Sequence, residues 1–351
     1  MFHSLRIASV RRETDDCVSL AFDIPAAARA AFAFTPGQYL TLRATIAGEE
    51  LRRSYSICSG PDDGEVRVAI KHVPGGRFSH HANTALGPGE RIDVMPPEGR
   101  FVAPPGAGTH VAIVAGSGIT PVLSIMKGVL AHDPASRFVL LYGSRSVASI
   151  LFRTELEDLK DHYLDRLTVL HVLSREEQDV PVLTGRLDAG KITALLPSAA
   201  DPATIAHAFL CGPGALIDTA TETLAGLGVP PGRIHAERFT PAAPGRTAPP
   251  PAPAPGPAPF ATATIIHDGT SNLIPVAAGE PVLEAAIRAG LDLPWSCRGG
   301  MCSTCRARIT AGAATMEVNF SLEPWETDAG FVLTCQAHPT TAHVTVDYDA
   351  V

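Results

Sequence analysis

Short apolar runs separated by polar turns fill the first part of the chain. Tyr39-Leu40-Thr41-Leu42 and Val66-Arg67-Val68-Ala69-Ile70 are rich in β-branched and aromatic residues, and clusters such as Pro61-Asp62-Asp63-Gly64 punctuate them. This pattern predicts an antiparallel β-barrel over residues 1–104. Past a proline- and glycine-rich stretch at 103–108 the rhythm changes. Strand-like runs at 111–115, 138–142, 167–171 and 206–211 now alternate with helical stretches, among them 153–163, where Leu156, Leu159 and Tyr163 form one apolar stripe. Alternation of this kind predicts an α/β doubly wound parallel sheet over residues 105–240. Near the carboxyl end, runs at 261–267 and 272–276 flank an Asp268-Gly269 turn, and 281–289 reads as a helix stopped by Gly290. A compact α+β unit is expected over 260–351, and no internal repeat is present.

Composition adds a fourth segment. In 241–259, nine of nineteen residues are proline and most of the others are alanine or glycine. Such a stretch cannot bury a core and favours extended polyproline II, so it reads as a linker spanning tens of ångströms at about 3.1 Å per residue. A PxxP ligand for a recognition domain is the alternative. The 351 residues are 45% hydrophobic and 18% charged, with a net charge of −8. That balance offers no basic surface for a phosphate backbone. No apolar run reaches the roughly 18 residues of a membrane span, and residues 1–10 lack the charged-then-apolar order of a secretory signal. Neither nucleic acid nor membrane is therefore an expected partner, and a cytoplasmic location is expected. Charge also sorts along the chain: residues 260–351 hold ten Asp/Glu against four Arg/Lys, hence −6 of the total −8, leaving −2 for the rest. An acidic unit of this kind is steered toward basic surfaces on a partner, or is simply a soluble surface.

Seven cysteines in a cytoplasmic chain would stay reduced, so a cluster of them points to metal rather than to disulfides. Cys297, Cys302 and Cys305 give C-x4-C-x2-C, and Cys335 follows after 29 intervening residues, the plant-type spacing for a [2Fe-2S] centre. Each iron takes two protein sulfurs, and a loop carrying three of the four must curl tightly. Gly299 and Gly300 are expected to permit that curl by adopting positive φ. Ser303 and Thr304 are small, and their amides are expected to donate toward the cluster. A structural zinc site is the alternative, although zinc ligands more often come as two separated pairs.

Two further constellations suit nucleotide cofactors. Arg53-Ser54-Tyr55-Ser56 lies downstream of Pro36-Gly37-Gln38-Tyr39, and Gly75-Gly76-Arg77-Phe78-Ser79 reads as a loop opening a short helix. Together they supply a cation, an aromatic plane, and N–H and hydroxyl donors suited to a flavin and its phosphates. The plainer alternatives are an arginine on an edge strand and a satisfied helix cap at Ser79. Gly116-Ser117-Gly118-Ile119-Thr120-Pro121 follows the strand 111–115 and has the composition of a pyrophosphate turn. Thr120 is expected to cap the following helix and Pro121 to occupy its first position. Short of a full G-x-G-x-x-G, a plain glycine turn is the alternative. The next two strands end in Tyr142-Gly143-Ser144-Arg145 and Ser174-Arg175. Arginine and hydroxyls at those places fit the 2′-phosphate of NADPH better than a bare ribose. Cys211-Gly212-Pro213-Gly214 ends a strand where a nicotinamide would lie, with a buried structural cysteine as the alternative for Cys211.

On these residues the chain resembles the ferredoxin-NADP reductase superfamily fused to a plant-type ferredoxin of β-grasp fold. Segments 234–239, 297–306 and 331–337 look, more closely, like those of the reductase subunits of bacterial phenylacetyl-CoA epoxidases. The resemblance implies FAD, NADPH and one [2Fe-2S] cluster, and an oxygenase partner with a di-iron site. It implies that Tyr55 stacks on the isoalloxazine, Arg53 meets the pyrophosphate, and Ser56 sits near the reactive ring nitrogen. Gly75, Gly76 and Ser79 would complete the FAD phosphate site. Gly116, Gly118, Thr120 and Cys211 would hold the nicotinamide coenzyme, with Ser144, Arg145, Ser174 and Arg175 at the 2′-phosphate. Phe239 would cover the flavin face that nicotinamide enters, and Glu237 would relay a proton or pair with Arg238 or another cation. The four cysteines would be the iron ligands. The thirteen histidines are expected to be surface or satisfied residues.

The chemistry implied is a conversion: NADPH gives two electrons as hydride, the cluster accepts one, and a flavin joins the two kinds of transfer. A reductase serving another hydroxylase, such as a steroid-ring hydroxylase, is the rival within this class. A non-enzymatic zinc- and nucleotide-binding regulator is the rival outside it.

Overall fold

The computed structural model describes residues 2–239 and 260–350; the proline-rich segment 241–259 lies outside the described residues. The chain divides into two compact units, residues 1–239 and 240–351. Among the described residues no helix is long and apolar enough to cross a membrane.

The first unit opens with six strands, β1 (His3–Thr14), β2 (Cys17–Asp23), β3 (Tyr39–Ile46), β4 (Glu49–Ser56), β5 (Val66–Lys71) and β6 (Arg91–Val94). They form an antiparallel sheet in the order β4-β3-β6-β1-β2-β5. A bridge between Ile57 and Val68 joins the two outer strands, so the sheet curls toward closure as the sequence pattern predicts. Leu5, Ile7, Leu20, Leu40, Leu42, Val68 and Ile70 fill the interior, and helix α1 (Arg77–Thr84) adds Phe78 and Ala82 to it.

Five parallel strands follow: β7 (Thr109–Ala115), β8 (Arg137–Ser144), β9 (Leu167–Leu173), β10 (Ile205–Gly212) and β11 (Ile234–Arg238), in the order β11-β10-β7-β8-β9. Helices α2 (Ile119–His132) and α3 (Arg153–His162) contribute to a core on one face. Helices α4 (Ala189–Ala199) and α5 (Gly214–Gly226) contribute to the core on the other. The strand order reverses between β7 and β10, and open α/β sheets take ligands at the carboxyl ends of the two strands flanking such a reversal.

Barrel residues Cys17, Cys58, Ala69 and Phe101 share the core that contains α2 and α3. Over that shared core Arg67, only 3% exposed, donates from Nη2 to both carboxylate oxygens of Glu155 of α3, at 2.7 and 2.8 Å. A buried guanidinium needs such a partner, because an unpaired charge out of water is costly.

Two expectations about the glycine turn are corrected here. The glycine turn is already helical: Gly116–Gly118 form one 3-10 turn, Gly118 takes the cap position of α2, and no side chain caps it. Thr120 therefore does not cap; its hydroxyl donates to the Ser117 carbonyl at 3.0 Å. Pro121 is the third helical residue, still within the turn whose N–H groups have no intrahelical acceptor. Of the histidines, expected to be surface or satisfied residues, His110 is buried. It is 1% exposed at the start of β7, stacked between Phe138 and His207, and burial pulls its imidazole down to about 4, which keeps it neutral.

The second unit is a mixed sheet. Its strands are β12 (Ala261–His267), β13 (Thr270–Val276), β14 (Arg306–Ala311), β15 (Ala314–Met316), β16 (Phe331–Leu333), β17 (Ala337–Pro339) and β18 (His343–Asp347). Five of them run in the order β13-β12-β18-β14-β16, and β15 pairs with β17 alone. Asp268 and Gly269 both have positive φ, 50° and 70°, which makes the two-residue hairpin expected from that dipeptide. Helix α6 (Val282–Arg288) packs Val282, Leu283, Ala285 and Ala286 into the core and stops before Gly290, whose φ is 83°. A five-residue helix α7 (Pro324–Asp328) completes the unit.

Candidate functional site

Sheet register in the first unit brings together residues far apart in sequence. Ser56 ends β4, and its hydroxyl donates to Glu237 Oε2 at 3.3 Å, 181 positions away. Glu237 lies on β11 directly opposite Cys211 of β10. Burial pushes the Glu237 carboxyl up to about 8, opposed in part by the Ser56 hydrogen bond, so it holds its proton at neutral pH. Burial raises the Cys211 thiol well above its ordinary range, with the neighbouring Glu237 adding to the effect. The trio thus offers a serine hydroxyl, a neutral thiol and a protonated carboxyl at one place. The expected Glu237–Arg238 ion pair does not form, since Arg238 bonds Asp218 instead.

Around this trio the flavin-binding candidates line up along β4. Arg53 is exposed, with one Nη donating to the Arg52 carbonyl at 2.7 Å. Tyr55 packs at 5.7 Å from Phe78, the second residue of α1. At the start of α1, Gly75 has φ 74° with open space where a side chain would be, and Gly76 is the cap residue. A Cβ on Gly76 would stand 2.6 Å from the Ser79 hydroxyl. That hydroxyl accepts from the Val73 N–H and donates to the Gly76 carbonyl, both at 3.1 Å, so Ser79 fixes the loop rather than waiting free. Phe239, at the end of the described first unit, is 40% exposed.

On the coenzyme side, Gly116 has φ 56° and open space at its Cβ position. A Cβ on Gly118 would lie 2.1 Å from the Cys211 carbonyl oxygen, so only glycine lets the turn after β7 close against the end of β10. Loops at the ends of β8 and β9 are tied by Ser174 N–H to the Ser144 carbonyl (2.9 Å) and Arg175 N–H to the Arg145 carbonyl (2.8 Å). This gathers Arg145, Ser174 and Arg175 at one edge, with both arginines exposed. Ser144 differs from them in being buried. Arg145 also pairs with Asp16 of the barrel at 2.9 Å, a contact that no pattern along the chain predicts.

In the second unit the cysteine loop curls as required, but its positive φ angles do not fall only on glycine. They occur at Arg298 (52°), Gly300 (75°) and Ser303 (55°), and not at Gly299. Gly300 is forced, since a Cβ there would meet Val318 at 3.1 Å. Gly299 and Met301 N–H groups donate to Cys297 Sγ at 3.3 and 3.4 Å, and Gln336 Nε2 donates to Cys335 Sγ at 3.6 Å. The thiols meet in two pairs, Cys297 with Cys302 and Cys305 with Cys335. The Cys302 hydrogen bond and these amides draw Cys297 down to about 6, while Cys302 and Cys305 are pushed up. Among the described residues no three Cys, His, Asp or Glu side chains converge as ligands of a single ion would. Two sulfur pairs fit the demand of a two-iron cluster, in which each iron takes two thiolates.

Sequence reasoning misses the supports of this loop. Gln336 also donates to the Arg298 carbonyl at 3.0 Å, and Arg298 lies over the Trp295 ring at 4.0 Å. Buried Glu326 pairs with Arg306, the residue after ligand candidate Cys305, at 2.7 Å. A charged residue beside a cysteine is the one available signal, and it does not name its partner.

Comparison with known proteins agrees with this geometry. Residues 4–102 match an oxidoreductase FAD-binding domain, 112–222 an oxidoreductase NAD-binding domain, and 265–340 a 2Fe-2S iron-sulfur cluster binding domain. Over 99% of this chain and 98% of the relative, 44% of residues are identical to a 1,2-phenylacetyl-CoA epoxidase subunit of Escherichia coli (strain K12). The chain belongs to the ferredoxin-NADP reductase-like family of iron-sulfur flavoprotein reductases. Another member, the ferredoxin reductase component of 3-ketosteroid-9-alpha-monooxygenase from Mycobacterium tuberculosis, is 35% identical over 98% of this chain and 95% of its own. Phthalate dioxygenase reductase shares the fold, with a TM-score of 0.62 and 24% identity over 99% of this chain and 98% of that one. The protein is an oxidoreductase with FAD, nicotinamide and [2Fe-2S] domains, of the kind that serves as the reductase component of oxygenase systems. A zinc-binding regulator is thereby set aside.

Proposed function

We propose that this reductase takes electrons from NADPH and delivers them, by way of FAD and the [2Fe-2S] cluster, to the di-iron oxygenase of a phenylacetyl-CoA epoxidase in the cytoplasm. The observation that carries the choice of partner is the 44% identity to the Escherichia coli epoxidase component along the whole chain. Bound flavin supplies the conversion between a two-electron hydride and single electrons. The chain's own residues bind, orient and hold a proton. Arg53 and the Gly75-Gly76 turn offer charge and N–H groups to the pyrophosphate, with Ser79 fixing the turn. Tyr55 offers its ring as the stacking surface and Ser56 a hydroxyl at the reactive edge. Gly116 and Gly118 admit the coenzyme backbone, and Thr120 braces their turn through Ser117. Cys211 and Glu237 keep the reacting edge uncharged, Glu237 holding a proton that Ser56 can exchange. Phe239 would cover the flavin face, while Arg145, Ser174 and Arg175 would take the 2′-phosphate, with Ser144 behind them. Cys297 with Cys302, and Cys305 with Cys335, would hold the two irons.

A second reading, a reductase for a steroid-ring hydroxylase, is favoured by the 35% identity to the ketosteroid monooxygenase component. Reconstitution with purified oxygenase components separates the two. Turnover of phenylacetyl-CoA with the epoxidase oxygenase is the expected result; support for ketosteroid hydroxylation alone would overturn the assignment.

A further inference from the structure

Asp16 stands between two cations at the edge assigned to the 2′-phosphate. It sits in the turn joining β1 to β2, where Thr14 pairs with Cys17. Its Oδ1 accepts from the Thr14 hydroxyl and from Lys71 Nζ, each at 2.9 Å, and its Oδ2 accepts from Arg145 Nη2, also at 2.9 Å. The Asp16 carbonyl is fixed as well, by the His72 N–H at 2.6 Å. A barrel residue thus holds the guanidinium that emerges from β8, while 52% of the Arg145 side chain and 33% of that of Asp16 stay exposed. The carboxylate cannot swing away freely, since three side chains hold it and the His72 N–H holds the backbone that carries it.

From this arrangement we infer that Asp16 is a selectivity residue that acts through Arg145: it restrains the arginine and thereby limits the preference for a 2′-phosphorylated coenzyme. The inference rests on the reading of Arg145 as a 2′-phosphate ligand. Two effects set the direction. Asp16 engages one donor of the guanidinium, which a phosphate would otherwise take bidentately. Its negative charge also lies within a few ångströms of any phosphate on that arginine, and like charges at such separation repel where solvent screens them only in part. Removing the charge frees the Arg145 guanidinium for a dianion and leaves a plain ribose hydroxyl unaffected. Asp16 is thus a positioning residue, and it touches neither the hydride nor the flavin edge.

The test uses full-length, flavin- and cluster-loaded protein and two probes that cannot react, adenosine 2′,5′-bisphosphate and 5′-AMP, with binding measured by calorimetry. Asp16→Asn should tighten the bisphosphate several-fold and leave 5′-AMP unchanged, and the KM for NADPH should fall relative to NADH with kcat constant. In an Arg145→Ala background the same substitution should give no gain. Equal changes for both probes, a selective weakening of the bisphosphate, or a gain that persists without Arg145 would each overturn the inference. Asp16→Ser serves the same purpose if the asparagine variant does not fold. If wild-type protein binds both probes alike and Arg145→Ala changes both alike, the reading of Arg145 itself fails; a wild-type preference untouched by Asp16→Asn removes the role of Asp16 alone.

Discussion

The two units build their redox sites in opposite ways. In the second unit three candidate ligands lie within nine residues, from Cys297 to Cys305, and backbone turns in that same loop supply N–H donors to sulfur. In the first unit Ser56 and Glu237 meet from opposite ends of the domain pair, and Gly118 matters because of where the end of β10 lies. A local site survives or fails with its loop. An assembled site depends on strand order and on the shared core that fixes barrel to sheet.

Breaking the local site should have the largest effect. Cys302→Ser is expected to abolish cluster assembly, seen as loss of iron-sulfur absorption and of electron delivery to one-electron protein acceptors, while NADPH reduction of an artificial two-electron acceptor stays largely intact. Equal loss of both activities would mean that the units are not separable in this way.

The assembled site can be probed at its proton. Glu237→Gln should slow flavin reduction by NADPH on the order of tenfold to a hundredfold, a range typical of lost acid–base assistance. It should also flatten the pH dependence. In the wild type the half-buried carboxyl loses its proton as pH passes about 8, so the rate should decline above that point. Stability follows the same sign: a carboxyl value raised in the fold from 4.5 to about 8 makes the folded state lose stability as pH rises across that window. Thermal unfolding of flavin-depleted protein should show that slope in the wild type and a shallower one in the variant; identical slopes would place the group's titration elsewhere.

A smaller effect is expected at the contact that closes the crevice. Gly118→Ala sets a methyl against the Cys211 carbonyl and should cost about 1–3 kcal/mol of stability, as overpacking does, together with a raised KM for the coenzyme. Unchanged unfolding and unchanged coenzyme kinetics would contradict the close approach. Smallest is Arg145→Ala, which should raise the KM for NADPH relative to NADH by about tenfold, the scale of one charge-assisted hydrogen bond. Indistinguishable shifts for the two coenzymes would remove Arg145 from the 2′-phosphate.

What can be read from the chain itself follows the same division. Cysteine spacing, the period-two runs of the barrel, the alternation of strands with helices and the Asp268-Gly269 hairpin are properties of neighbouring residues, whose separation the covalent backbone fixes. The differences between pattern and structure are also local, and backbone geometry causes them. Residue type makes Thr120 a cap for a helix beginning after it, whereas a 3-10 turn through the glycines starts the helix earlier. Residue type likewise favours positive φ at Gly299, yet the turn places it on Arg298 and Ser303 while aiming the Gly299 and Met301 amides at sulfur.

Sequence therefore determined the kinds of chemistry this chain carries and the order in which the parts occur. Only the tertiary structure decided which of them meet. It set Glu237 beside Ser56, Cys211 opposite Glu237, and Asp16 on Arg145. Contacts between residues tens to nearly two hundred positions apart are fixed by strand order and packed cores, and no spacing along the chain encodes them.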